Sequence, residues 1–144
     1  MIREVKENDI GAAAALAALL WSSHSVQDLA EEFAQDLSRG GTQFFLKYEG
    51  GVPVGFAQCR LRHDYVEGTK TSPVGYLEGI YVKEGFRRKG YAKALLEACK
   101  TWAKSNGCTE FASDRALGNV DSFLFHKAMG FLEVNRIICF TQPC

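Results

Sequence analysis

The residues best suited to chemistry in this chain are carboxylates placed in or just after apolar strands. Glu78 lies within the apolar segment 76–82, where an ionised side chain is costly to bury unless water or a partner satisfies it. A carboxylate in such a place can bind an ammonium group and take a proton from it, which makes it a candidate general base. The alternative is a side chain on the solvent face of a sheet. Asp114 follows the next predicted strand, at a position where open α/β sheets bind ligands; the alternative is an aspartate that caps a loop.

A basic loop follows the strand that carries Glu78. It contains Arg87, Arg88, Lys89 and Gly90 and leads directly into a predicted helix. The first N–H groups of a helix are unpaired and carry a partial positive charge, and glycine lets the backbone approach a ligand closely. This combination favours a phosphate or pyrophosphate site, although the glycine patterns of mononucleotide and dinucleotide loops are absent. The same residues can also form a solvated loop before an ordinary helix.

The elements that must position these residues follow from hydrophobic periodicity. Apolar spacing and stop signals predict helices over 11–20, 26–37, 91–106 and 119–129. Alternating and β-branched segments predict a first strand before these helices and further strands over 43–48, 52–62, 76–82, 108–113 and 131–141. The last strand is either continuous or split near Asn135. The order β-α-α-β-β-β-α-β-α-β predicts an α/β (α+β) fold with a mixed sheet and helices on both faces.

Length and composition limit the remaining possibilities. The 144 residues, 47% hydrophobic and 24% charged, suit a single domain over 1–144. No apolar run reaches the length of a membrane span, and the N-terminus is too charged for a signal peptide. The five cysteines are odd in number and form no C-x-x-C pair, which favours a cytoplasmic protein without a structural metal site.

Charge is balanced in total but unevenly distributed. The chain has 17 basic and 17 acidic residues, so a broad nucleic-acid-binding surface is not expected. The first 38 residues hold seven acids and two bases, whereas residues 83–104 hold seven bases and two acids. This segregation suggests two ligands of opposite sign.

Two motifs in the second half of the chain resemble the GCN5-related N-acetyltransferases (the GNAT superfamily). Arg87-x-x-Gly90-x-Ala92 is similar to their coenzyme A pyrophosphate motif, and the segment 119–131, with His126 before the final Gly-Phe, is similar to a second motif. The resemblance implies the GNAT fold, with acetyl-CoA as cosubstrate. The residues it assigns to the coenzyme are Ile80, Tyr81, Val82, Arg87, Arg88, Lys89, Gly90, Tyr91, Ala92, Lys93 and Asn119. Asn119 can also be a plain helix N-cap, and the two roles are compatible.

A closer resemblance, in segments 20–24, 62–68, 77–82 and 112–114, is to the aminoglycoside 6′-N-acetyltransferases within that superfamily. It implies that the 6′-amine of an aminoglycoside antibiotic attacks acetyl-CoA directly in a ternary complex, with an oxyanion held by backbone N–H groups. Such a reaction confers resistance by modifying the drug and needs no cysteine. The resemblance also implies a homodimer.

The resemblance turns several polar and aromatic side chains into candidates for the amine site. Because aminoglycosides carry several ammonium groups, carboxylates are the natural ligands. The substrate-binding candidates are Trp21, His24, Tyr65, Glu78 and Asp114. A tryptophan such as Trp21 is more often a core residue than a site residue, and Tyr65 is equally well explained as an exposed loop residue.

Two positions depart from the family pattern. His126 stands where the family often has a tyrosine that protonates the departing thiolate. The general acid is then His126, another residue or solvent, and the alternative role of His126 is that of a packed, hydrogen-bonded histidine. Asn135 stands where we expect an acid, and its neutral side chain weakens one ammonium contact.

Two other functions fit the same residues. The acetyl acceptor can be another amine, such as a polyamine, a protein N-terminus or a lysine. The chain can also be a non-catalytic module that binds an acyl-CoA or a drug, although the presence of Glu78 together with a complete pyrophosphate motif argues against this.

Overall fold

The chain folds into five strands and four α-helices. The computed structural model describes all 144 residues and contains the strands β1 (Ile2–Glu4), β2 (Thr42–Glu49), β3 (Val52–Arg62), β4 (Val74–Val82) and β5 (Phe111–Ser113). The helices are α1 (Ile10–Leu20), α2 (Val26–Arg39), α3 (Tyr91–Ser105) and α4 (Val120–Ala128). Single 3-10 turns lie before α1 and before α3, over Glu7–Asp9 and Glu84–Phe86. The predicted order of elements is confirmed as far as α4.

The five strands form one mixed sheet in the order β1-β2-β3-β4-β5. The pairs from β1 to β4 are antiparallel, whereas β4 and β5 are parallel because α3 carries the chain back along the sheet between them. β5 pairs only with Gly75–Leu77, while β3 pairs with β4 as far as Val82. The second half of β4 therefore has a strand on one side and a free edge on the other, which opens a cleft in the sheet.

Helices cover both faces of the sheet and close two apolar cores. On one face, α1 and α2 pack against the rings of Phe44 and Phe56, and Phe33 of α2 contacts both rings. On the other face, Leu95 and Cys99 of α3 pack against β3 and β4. Complete burial of a large apolar side chain contributes about 1.5–3 kcal/mol. These two cores fix the end of α1 and the start of α3 beside β4.

Local signals define where the helices begin and end. The Ser25 hydroxyl accepts a hydrogen bond from the Asp28 N–H and caps α2, and Gly40, at φ +79°, ends it. The Asn119 side chain caps α4 in the same way. None of the four helices has the length and apolar character required of a membrane span.

The strand predicted over 131–141 is wrong, because residues 131–144 form neither strand nor helix. Its β-branched and aromatic residues are typical of a strand, but a strand needs a hydrogen-bonding neighbour, and no edge of this sheet pairs with the segment. Leu132, Ile138 and Phe140 are instead 87%, 82% and 88% exposed. The strand predicted over 108–113 is also shorter than expected and begins at Phe111.

Candidate active site

A cleft of about 630 Å³ opens along the free edge of β4. Its walls come from the end of α1, the second half of β4, the start of α3, the end of β5 with the residues after it, and one face of α4. The predicted site residues that line it are Trp21, Glu78, Ile80, Tyr81, Val82, Arg87, Ala92, Asp114, Asn119 and His126. The fold therefore brings these predicted coenzyme and amine residues to one cavity.

Glu78 lies at an irregularity in β4. Gln58 of β3 pairs with Gly79 and Cys59 pairs with Leu77, so Glu78 is an extra residue without a partner across the ladder. A bulge of this kind bends the strand and changes the direction of its side chains. The bulge lies where β5 stops, so the strand diverges from its neighbour at the residue predicted to hold the amine.

Trp21, directly after α1, forms a wall of the cleft beside Glu78. Its ring meets Phe56 edge to face with centroids 6.1 Å apart. The ring also lies against the backbone of Gly79, where an added Cβ would come within 2.5 Å of it. A glycine at this position is therefore what allows the indole to pack on β4. Trp21 belongs to both the core and the cleft wall, as the two interpretations of the sequence proposed.

The Glu78 carboxylate is paired with an arginine that sequence reasoning missed. Arg62 donates from Nη2 to Oε1 and Oε2 at 2.9 and 3.2 Å, and from Nε to Oε1 at 3.3 Å. Nε of Arg60 lies farther away, 3.8 Å from Oε1. Arg60 and Arg62 are two residues apart in β3 and therefore lie on the same face of the sheet. Only the register between β3 and β4 reveals which carboxylate they contact. The Glu78 side chain keeps 20% of its surface exposed and is open to the cleft.

Asp114 follows β5 and is exposed at the cleft. The Tyr76 hydroxyl donates a hydrogen bond to its Oδ2 atom. Burial, with a further contribution from this hydrogen bond, raises the pKa of Tyr76, so the hydroxyl remains a donor. The two carboxylates predicted to bind ammonium groups thus lie in one cleft, each held by a side chain of β3 or β4.

The start of α3 presents backbone N–H groups at the coenzyme side of the cleft. Gly90 is the N-cap at φ +80°, and no side chain caps the helix. The first helical hydrogen bond runs from the Ala94 N–H to the Gly90 carbonyl, so the N–H groups of residues 91–93 have no acceptor in the helix. Arg88 has a positive φ of 63°, which turns the loop sharply before the helix. Uncapped N–H groups of this kind are suited to a pyrophosphate.

The basic side chains of the loop are largely engaged within the protein. Nε of Arg87 donates to the Val82 carbonyl at 2.8 Å. Nζ of Lys89 donates to Glu49 at 3.1 Å, and the Tyr91 hydroxyl donates to the same carboxylate. The predicted coenzyme residues that lie outside the cleft lining are Arg88, Lys89, Gly90, Tyr91 and Lys93. Of the loop and the first turn of α3, Arg87 and Ala92 line the cleft itself.

Asn119, directly before α4, and His126, in the last turn of α4, both line the cleft. The Asn119 carboxamide oxygen accepts from the Ser122 N–H at 3.0 Å, so its role as an N-cap is confirmed, and the residue also lines the cleft. Nδ1 of His126 lies 2.6 Å from the Ser122 carbonyl, which can only accept, and this assigns the hydrogen to Nδ1. Nε2 lies 2.8 Å from the Ser113 hydroxyl. His126 is a packed, hydrogen-bonded histidine at the cleft.

Two predicted substrate residues lie outside the cleft lining. His24 is exposed in the segment between α1 and α2, and Tyr65 is 76% exposed in the loop after β3. Asn135 donates to Glu67 of that same loop at 2.8 Å. Lining residues that the sequence did not single out for the site are Leu19, Leu20, Leu77, Gly79, Ser113, Arg115, Asp121, Ser122 and Phe125. The structure contains no group of three or more side chains arranged to hold a metal ion.

The amino-acid sequence matches one family model and several known proteins that carry the same name. The family model described as "Acetyltransferase (GNAT) family" matches residues 13–131. The chain is 41% identical to an "aminoglycoside N(6′)-acetyltransferase type 1" of Stenotrophomonas maltophilia, covering 99% of this chain and 92% of the relative. It is 40% identical to the protein of the same name in Serratia marcescens, covering 99% and 98%.

The fold also superposes closely on solved structures of proteins with similar names. A structure of AAC(6′)-Iy in complex with the bisubstrate analogue CoA-S-monomethyl-acetylneamine superposes with a TM-score of 0.95 at 35% identity, over 100% of this chain and 98% of that one. The aminoglycoside 6′-N-acetyltransferase AAC(6′)-IG from Acinetobacter haemolyticus superposes with a TM-score of 0.94 at 37% identity, over 100% and 99%. The predicted fold class is confirmed.

Proposed function

The chain belongs to the acetyltransferase (GNAT) family, and from this premise we propose that it transfers acetyl from acetyl-CoA to the 6′-amine of aminoglycosides. The observation that carries the proposal is the composition of its cleft, which is lined by two carboxylates and by Ala92 in the first turn of an uncapped helix. The first feature suits a polycation and the second suits a pyrophosphate. Similarity over almost the whole length to enzymes named for this activity supports the same substrate class.

Acetyl-CoA fits the side of the cleft formed by β4 and α3. The free edge of β4 over residues 80–82 is available to pair with the pantetheine arm, as an added strand would. The N–H groups from Arg88 to Lys93 hold the pyrophosphate, and Asn119 bonds the arm. This arrangement orients the thioester carbonyl towards the backbone at the bulge, where an N–H near Ile80–Val82 stabilises the oxyanion.

The amine binds at Glu78 and loses a proton before it attacks. Glu78 takes this proton directly or through a water, and the neutral nitrogen then attacks the thioester carbon. The carbon–sulfur bond breaks, the acetyl group remains on nitrogen, and the thiolate of coenzyme A leaves. Asp114 pairs with another ammonium of the substrate, and Trp21 forms an apolar wall for a sugar ring.

The departing thiolate needs a proton, and His126 is the candidate donor. Because its Nδ1 hydrogen is given to the Ser122 carbonyl, a second proton on Nε2 is required, next to the Ser113 hydroxyl. His24 and Tyr65 lie on exposed segments, so they touch only parts of a substrate that extend beyond the cleft.

The proposal includes a homodimer. The C-terminal segment 131–144 exposes Leu132, Ile138 and Phe140, and β5 forms an unpaired end of the sheet. A second copy can bury the apolar residues and extend the sheet at this edge. We expect a dimer by light scattering, and we expect Ile138→Asp with Phe140→Asp to yield a monomer. Val52→Asp, at another exposed apolar site, is the control, and a monomeric wild type would overturn this part.

The proposal also places the enzyme in the cytoplasm. All five cysteines are free, and three of them, Cys59, Cys99 and Cys108, are buried as small apolar residues. Measurement of the enzyme in cytoplasmic and periplasmic fractions of a producing bacterium tests this assignment.

A thiol-release assay tests the activity. The protein is mixed with acetyl-CoA and a panel of aminoglycosides, polyamines and peptides, and the appearance of free coenzyme A thiol is followed. We expect release with aminoglycosides that carry a 6′-amine and none with those that carry a 6′-hydroxyl. Release only with a polyamine or a peptide would transfer the assignment to that amine. Coenzyme binding without any release would favour a binding module.

A further inference from the structure

Six side chains form one continuous row that contains both carboxylates of the amine site. Asp36 of α2 faces Arg60 at 3.7 Å, Arg60 faces Glu78, and Glu78 is bonded to Arg62. Charges of opposite sign alternate along the row. Of these three ion pairs, only Arg62–Glu78 has hydrogen-bond distances.

Tyr76 extends the row to the second carboxylate. The Arg62 guanidinium lies over the Tyr76 ring, 3.5 Å from its centroid, while the hydroxyl of that ring donates to Asp114. Tyr76 is buried to 5% exposure, so its ring cannot turn freely. Arg62 and Tyr76 therefore support each other, and each bonds one of the two carboxylates.

The geometry at Glu78 leaves room for an amine. Oε1 accepts two hydrogen bonds from Arg62 and faces Arg60, whereas Oε2 accepts one long bond, at 3.2 Å. A carboxylate has about four acceptor sites, so Oε2 keeps capacity for a further donor. A glutamate side chain has several rotatable bonds, and a planar guanidinium that grips it in two places reduces its freedom.

We infer that Arg62 and Tyr76 are positioning residues that hold Glu78 and Asp114 at the spacing at which the substrate's ammonium groups bind. This inference rests on the proposed function. Arg62 orients the carboxylate that receives the reacting amine, and it acts mainly on the chemical step. Tyr76 orients the carboxylate that receives a second ammonium, and it acts mainly on substrate affinity.

Arg60 provides a matched control. It lies two residues from Arg62 on the same strand and the same face, and its side chain is exposed to a similar degree, 40% against 38%. It makes no hydrogen bond to Glu78. If the loss of a positive charge near Glu78 is what matters, substitution of Arg60 and substitution of Arg62 should have the same effect. If the bidentate contact positions Glu78, only substitution of Arg62 should have an effect.

The first experiment compares Arg62→Gln, Arg62→Lys and Arg60→Gln by steady-state kinetics. A misplacement of about 1 Å at a reacting group can cost about 10²-fold in rate. We therefore expect Arg62→Gln to lower kcat by about 10²-fold, with an unchanged KM for acetyl-CoA. Arg62→Lys recovers part of kcat because one hydrogen bond remains, and Arg60→Gln stays within about threefold of wild type. Equal losses in Arg62→Gln and Arg60→Gln, or no rescue by lysine, would overturn the role of Arg62.

The second experiment is a double-mutant cycle on Tyr76→Phe and Asp114→Asn. Phenylalanine keeps the ring beneath Arg62 and removes only the hydroxyl. We expect Tyr76→Phe to raise the aminoglycoside KM by about fivefold with little change in kcat, and to have no further effect when Asp114→Asn is already present. Additive effects of the two changes would overturn the role of Tyr76.

Coenzyme binding, measured by fluorescence or calorimetry, confirms that each variant is folded. If Arg62→Gln does not bind acetyl-CoA, the comparison of Arg62→Lys with Arg60→Gln decides whether Arg62 positions Glu78. Lysine keeps the positive charge but cannot donate from two nitrogens as the guanidinium does. If the wild type acetylates a polyamine or a peptide and no aminoglycoside, the proposed function fails. The same kinetic comparison with that amine then still supports or overturns the positioning roles.

Discussion

The two sides of the cleft present different chemical groups to their ligands: backbone groups on the coenzyme side and carboxylate side chains on the amine side. On the coenzyme side, the free edge of β4 and the uncapped N-terminus of α3 present backbone, while Arg87 and Lys89 are engaged by the Val82 carbonyl and Glu49. On the amine side, Glu78 and Asp114 present carboxylates that depend on side chains of neighbouring strands. The coenzyme side should therefore tolerate side-chain changes and respond to changes in φ. The amine side should show the reverse.

The largest effect is expected from Glu78→Gln. Glutamine keeps the size of the side chain but neither attracts an ammonium nor accepts its proton, so kcat/KM for the aminoglycoside should fall by about 10²–10⁴-fold. Thiol release under saturating acetyl-CoA measures the loss. Acetyl-CoA affinity should stay unchanged, because Glu78 makes none of the proposed coenzyme contacts. A rate close to wild type would remove Glu78 as base and as main ligand of the amine.

A smaller effect is expected from Asp114→Asn. This change removes one charged partner of an ammonium, which is equivalent to about 1.5 kcal/mol or roughly tenfold in affinity. The aminoglycoside KM should rise by that factor, while kcat changes little because Asp114 does not take the proton. A fall in kcat with an unchanged KM would show that the division of work between the two carboxylates is wrong.

The same contrast explains what the sequence could predict. The loop 83–90 is recognisable because its function depends on a local pattern, a strand, then basic residues and Gly90, then a helix. Glu78 is recognisable because an acid within an apolar strand is unusual. Arg62 is not recognisable, since its contact with Glu78 depends on the pairing of β3 with β4 and on a bulge that moves the register by one residue.

The C-terminal segment shows a second limit of sequence reasoning. Val134, Ile137 and Phe140 have high strand propensity, and this local preference led to the prediction of a strand over 131–141. The sheet of a single chain offers this segment no pairing partner, and its apolar residues remain exposed. Propensity describes what a segment can form, whereas formation of a strand also requires a neighbour.

On the coenzyme side, the sharpest test changes a backbone angle and not a charge. Gly90 has φ +80°, and no atom lies within 4 Å of an added Cβ, so Gly90→Ala introduces strain without a clash. Holding alanine in this conformation costs about 1 kcal/mol. Gly90→Ala should lower the thermal stability and raise the acetyl-CoA KM by about fivefold, with the aminoglycoside KM unchanged.

Gly85 is the matched control for this substitution. It lies in the same loop, an added Cβ also meets nothing within 4 Å, and its φ lies outside the positive range. Gly85→Ala should leave stability and both KM values close to wild type. If the two alanine variants behave alike, the loop does not depend on the conformation of Gly90.

The smallest effect is expected from Glu49→Gln, and it depends on pH. The hydrogen bond from the Tyr91 hydroxyl, followed by that from Lys89, lowers the pKa of Glu49. A carboxyl with a lowered pKa in the folded state stabilises the fold above its ordinary pKa of about 4.3, and this contribution is lost as the pH falls through the lowered value. Wild type should therefore melt slightly higher than Glu49→Gln at pH 7, and the difference should disappear in strong acid.

The same variant separates a backbone site from a site that depends on charge. Glu49→Gln releases Lys89, so a pyrophosphate held mainly by side-chain charge would bind more tightly and lower the acetyl-CoA KM. A pyrophosphate held by the N–H groups at the start of α3 gains little, and the KM should stay within about twofold of wild type. Glu97→Gln, which frees Lys100 on the surface of α3, controls for the loss of one negative charge. A clear fall in KM for Glu49→Gln alone would show that the coenzyme side also depends on its side chains.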